Sequence, residues 1–140
     1  FGNYERSMVV DMLNLHIAAV ESESLFVPES LANPKTIPSV EGLVSASKAH
    51  LLCGTVFLKD AVMLADRSCG IVEMFVQSTV ADRTIWLIMR MWSKVGDLCF
   101  SEIDTSRLVV SSAQVLATVI WCSVRGVARV LPPKNSASWD

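Results

Sequence analysis

The chain has 140 residues, 51% of them apolar and 19% charged, with six glycines, five prolines and a formal net charge of −2. It is one domain's worth of chain, too apolar for disorder and too poor in Gly and Pro for a collagenous or linker-like protein. A fold of this length buries roughly two-thirds of its unfolded surface and needs no metal or disulfide to hold together. Twelve basic residues against 14 acidic ones give no general electrostatic basis for binding nucleic acid, which rests on many phosphate contacts from Lys and Arg.

Taken in chain order, the polar residues mark out helices. Over residues 4–25, Ser7, Asp11, Asn14, Ala18 and Glu21 recur every three or four positions, leaving Val9, Met12, Leu13, Ile17 and Val20 for a core. Pro28, Pro34 and Pro38, with Asn33 before Pro34, then predict a connecting loop over 26–39. A second helix is expected over 40–67, where Ser45, Lys48, Thr55, Lys59 and Asp66 fall within a sector of about 80°. Ser68, Cys69 and Gly70 suggest a tight break before a third helical region, 71–100. Its polar stripe moves from Glu73 and Gln77 to Arg83, Arg90, Lys94 and Asp97, which predicts an interruption near 78–82. A final helix is expected over 104–131, capped by Asp104, Thr105 or Ser106, striped by Arg107, Ser111, Gln114, Thr118, Cys122, Arg125 and Arg129, and stopped by Pro132 and Pro133. The expected fold is therefore all-α, an antiparallel bundle of four main helices without a sheet: a single domain over 1–131 and an extended polar tail over 132–140.

Four cysteines, Cys53, Cys69, Cys99 and Cys122, show no C-x-x-C or Cys/His ligand spacing, and the first residues lack the basic-then-apolar pattern of a secretory leader. The reading is free, buried thiols in a reducing intracellular compartment, cytoplasm or nucleus. The uncharged run 108–124, bracketed by Arg107 and Arg125, approaches the length of a membrane span. Ser111, Ser112, Gln114, Thr118 and Ser123 dilute it, so an amphipathic soluble helix is the preferred reading and a membrane anchor an alternative.

No phosphate-cradling, nucleophile-elbow, zinc-protease or EF-hand motif is present, so the chain is read as non-enzymatic, with no cofactor and no metal. His16 and His50 both project opposite the polar stripes and are expected to be buried, His50 beside Cys53. Arg83, Arg90 and Lys94 form a basic stripe near Trp86. Trp92 and Trp121 read as packed aromatics, Trp121 at a stripe's edge, and Trp139 stands alone in the tail. Trp86, Trp121, Trp139, Arg83, Arg90 and Lys94 are thus the candidate interface. Narrow polar stripes leave more apolar surface than one small core can cover, so the expected function is self-association: a homo-oligomeric regulatory dimerisation domain or shell-type subunit. A bundle binding a hydrophobic small molecule near His50, Cys53 and Trp92 is the alternative.

Overall fold

The computed structural model describes residues 29–38, 40–80 and 83–131. These residues form no α-helix; the expected bundle is replaced by twelve antiparallel strands and one 3-10 turn. The strands are β1 (Ser30–Leu31), β2 (Lys35–Thr36), β3 (Leu43–Ala46), β4 (Lys48–Leu51), β5 (Gly54–Phe57), β6 (Ala61–Leu64), β7 (Cys69–Ser78), β8 (Ile85–Gly96), β9 (Cys99–Ser111), β10 (Val115–Thr118), β11 (Ile120–Val124) and β12 (Val127–Leu131), with the 3-10 turn at Ser112–Gln114. The expected helix 4–25 and the tail 132–140 lie outside the described residues. The expected helices 40–67, 71–100 and 104–131 are each divided into strands and tight turns.

The turns explain the division. Lys59, Arg67, Leu98 and Arg125 all adopt positive φ between consecutive strands, as does Asn33 between β1 and β2. Between the registered pair Val124 and Val127 stand only Arg125 (φ 53°) and Gly126 (φ 77°), the two-residue connection whose twist suits a hairpin. No helix continues through such residues.

A large sheet runs in the order β10-β6-β7-β8-β9-β12-β11, and its two edge strands are consecutive in the chain, separated only by Val119. The sheet is therefore rolled until its edges meet along residues 115–124, the first half pairing with β6 and the second with β12. Closure in this way removes free edges. Inside the roll lie Ala61, Met63, Cys69, Trp92, Phe100, Ala128 and Val130, with Val119 and Trp121 packed against them, so β6, β7, β8, β9, β11 and β12 all contribute. The Trp92 ring centroid lies 4.9 Å from that of Trp121 and 6.1 Å from that of Phe100.

A smaller sheet, β1-β4-β5, covers part of the outside of the roll. The chain reaches it by turning out of β3 at Ser47 and returns to β6 through Leu58–Asp60, and the Leu58 amide donates to the Ser47 carbonyl across this corner at 3.0 Å. Leu31, Ala49, Leu51 and Val56 of the small sheet bury against Val62, Val72, Phe75, Leu87, Met89 and Met91 of the large one. β8 thus buries residues on both faces, Leu87 and Met89 outward and Ile88 and Trp92 inward. Glu29 ties the β4–β5 turn down: its carboxylate accepts from the Leu52 amide at 3.1 Å and from Ser112 Oγ at 2.7 Å.

The other half of the roll's outer surface is bare among the described residues. On β11 and β12 the register partners Trp121 and Val130, and Ser123 and Ala128, share the inward face, and the others point outward. Outward-facing Ile120 is 68% exposed, its register partner Leu131 59%, and Val124 51%.

Candidate functional site

Where β7 runs beside β8 its register slips between Val72 and Met74, so that Glu73 stands at a bulge. A bulge re-aims its side chain. Here the Glu73 carboxylate meets two guanidinium groups, Arg90 Nη2 at 2.8 Å from Oε2 and Arg107 Nε at 3.2 Å from Oε1. Arg90 and Arg107 are direct register partners on β8 and β9, a like-charge pairing that is unfavourable by itself. Glu73, only 14% exposed at its side chain, bridges them and offsets that repulsion. The triad lies on the inner face of β7–β9, between the interior cluster of the roll and a small cluster of Ile37, Leu43, Met74, Val76 and Ile88.

Beside Glu73 the two sheets part. β6 pairs with the first residues of β7 and β3 with its last, so the corners of the chain at Ser47 and Leu58 frame an open gap. The gap is a groove of about 630 Å³ bounded by Asn33 and Lys35 on one side, Ser45 and Ser47 at the corner, Lys48 and Phe57 on the small sheet, and Glu73 and Met74. Lys48 Nζ sits 5.6 Å above the Phe57 ring, a cation–π contact that holds the ammonium at the rim. The Asp60 carboxylate accepts from the Phe57 amide at 2.8 Å and so fixes the strand that carries the ring. Lys35 and Lys48 together with the triad place four cations around one carboxylate whose two oxygens are both engaged by arginine.

The residues singled out from the sequence do not form one site. Trp86, Arg90 and Lys94 do share a face of β8, but Trp86 is half-buried, and Arg90 belongs to the triad. The Trp86 Nε1 atom is sealed from solvent without a hydrogen-bond partner among the described residues. Arg83 is exposed before β8, its backbone carbonyl accepting from Gln77 Nε2 at 2.7 Å. Trp121 packs inside the roll rather than outside it. His50, expected to be buried, is exposed on β4, where Nδ1 and Thr55 Oγ1 are 3.1 Å apart. Cys53 is likewise exposed, in the β4–β5 turn, although partial burial of its thiol, with the charge of Glu29 adding to it, pushes its pKa up. Trp92 lies inside the roll and not beside these two, so the expected pocket of His50, Cys53 and Trp92 does not exist. His16 and Trp139 lie outside the described residues. The run 108–124 is divided among β9, the 3-10 turn, β10 and β11, and no described helix is long and apolar enough to cross a membrane.

Glu73, Arg107, Lys35 and Lys48 escape the sequence reading as a group because they come from four strands. The hairpin at Asp97–Leu98 brings β8 and β9 together, but two register shifts along the pair, between Trp92 and Ser93 and between Lys94 and Gly96, are what set Arg90 opposite Arg107, and no sequence pattern marks them. Among the described residues no group of three His, Cys, Asp or Glu side chains is placed to hold a metal ion. Neither protein-family models, nor curated proteins, nor solved structures match this chain.

Proposed function

We propose that the chain is a non-enzymatic assembly module, a regulatory dimerisation domain or shell-type subunit, that self-associates through the bare half of the roll. The observation that carries this reading is the outward row Ile120, Val124 and Leu131, joined by Ile103, which is 82% exposed. An alanine methyl built at Gly126 would stand 3.0 Å from Ile103 Cδ1, so Ile103 borders the β11–β12 turn and extends the same patch. With Leu116, 36% exposed on β10, these side chains offer on the order of 500 Å² of apolar surface, towards the upper end of what a monomer shows and of the size that is often functional. A second copy is the fitting occupant: two-fold pairing sets the same patch against itself and buries about 1,000 Å² in total, the lower limit for a specific interface.

Sedimentation velocity over a micromolar concentration series tests the reading. The native chain is expected to shift from monomer towards dimer, and the double substitution Ile120→Glu with Leu131→Glu to remain monomeric with unchanged far-ultraviolet circular dichroism. A native chain that stays monomeric throughout, or a double variant that associates as well as the native chain, overturns it.

A further inference from the structure

We infer that the groove between β3 and β5 is a binding site for a small polyanion, a phosphate ester or a polycarboxylate. Its size suits such a ligand: about 630 Å³ lies within the usual range of small-molecule sites. The chemistry of its walls suits the charge. Lys35 and Lys48 bound it from different strands, and Asn33, Ser45 and Ser47 supply neutral amide and hydroxyl donors between them. The acidic residue of the lining, Glu73, does not turn it into a cation site, because each carboxylate oxygen already accepts from a guanidinium. The triad as a whole carries one surplus positive charge, and it reaches the groove through Glu73.

Lys48 is also pre-positioned. Its ammonium is held over the Phe57 ring, so less side-chain entropy is lost when an anion arrives. A polynucleotide fits these walls less well, since affinity for it grows with a long track of phosphate contacts and this groove offers two lysines.

The test is a calorimetric and NMR titration of the full chain at low ionic strength with pyrophosphate and, separately, with citrate. At least one probe is expected to bind, with resonance shifts at Lys35, Ser45, Ser47 and Lys48, and with affinity falling as salt is added. Tighter binding of pyrophosphate assigns a ligand recognised through its phosphate groups; tighter binding of citrate assigns a polycarboxylate. Lys35→Met and Lys48→Met keep the apolar stems and should each weaken binding about three- to fivefold, and the double variant more. Glu73→Gln, which adds a net positive charge, should tighten it. Because both lysines lie at the rim, their variants are expected to fold, and they decide the matter even if Glu73→Gln does not. The inference fails if neither probe perturbs the groove, if the double lysine variant binds like the native chain, or if only a single-stranded oligonucleotide binds.

Discussion

β8 and β11 are both apolar strands of the same rolled sheet, yet they stand in opposite surroundings. In β8 the residues from Ile85 to Trp92 are buried on both faces apart from Arg90 and the half-buried Trp86, one face against the small sheet and the other against the inner clusters. In β11 Trp121 is the one large apolar residue on the inward face, which it shares with Ser123, while Ile120, Cys122 and Val124 face out. Among the described residues the small sheet covers the roll over β6, β7 and β8 and leaves β11 and β12 open. Apolar composition is therefore used for two ends: cohesion of one chain at β8, and an uncovered surface at β11.

The comparison breaks first on stability. Ile88→Ala removes a fully buried side chain from a packed cluster and should cost about 2–5 kcal/mol in urea unfolding. Ile120→Ala, on the open face, should change monomer stability by less than about 0.5 kcal/mol. Equal losses at the two positions would show that the β11 face is covered within the monomer.

Two glycines sharpen the contrast. Gly70 faces Met91 in register, and a methyl there would stand 2.6 Å from the Arg90 carbonyl oxygen and 2.9 Å from Met91 Cα, backbone atoms that cannot step aside. Gly70→Ala should cost about 1–3 kcal/mol through overpacking of β7 on β8. At Gly126 the nearest obstacle is the flexible end of Ile103, so the cost comes from the positive φ of 77° and should be about 1 kcal/mol. Thermal unfolding of the two variants ranks them, with Gly70→Ala the more damaging.

The same strands show why the sequence reads as helices. A step of four residues brings a side chain back to nearly the same side of a helix, and to the same face of a strand. Arg90 and Lys94, Thr118 and Cys122, and Arg125 and Arg129 fit both periods, so stripes built on such steps do not discriminate. The stretch Ile85–Trp92, buried on both faces, shows no alternation at all and resembles a buried helix. What does discriminate is the turn at Arg125–Gly126 between two short runs rich in Val and Ile, with further breaks at Gly54, Arg67 and Asp97–Leu98. The packing of Trp92 and Trp121 is legible because large aromatics in apolar runs seek cover under either secondary structure. Of the site, only Arg90 is legible. Its relation to Glu73 and Arg107 depends on strand register and on a bulge, neither of which leaves a local pattern in the sequence.

An effect confined to alkaline pH concerns two cysteines in this ring of strands. Cys69 is buried inside the roll, and burial, with the charge of Asp66 adding and that of Lys94 opposing, pushes its thiol up to about 12. Cys122 faces out on β11. In the unfolded chain a thiol ionises near pH 8.5, so the folded state holds the Cys69 proton more tightly than the unfolded state does. The stability linked to Cys69 is therefore complete below about pH 8.5 and is lost progressively as pH rises towards 12. Urea midpoints measured through the alkaline range should fall for the native chain and fall less for Cys69→Ala. At neutral pH iodoacetamide should modify Cys122 while the chain is folded and reach Cys69 only on unfolding, because the thiolate, and not the thiol, attacks. Rapid alkylation of Cys69 in the folded chain would mean that the roll opens between β6 and β7, and the contrast between a sealed interior and a bare exterior would no longer describe this molecule.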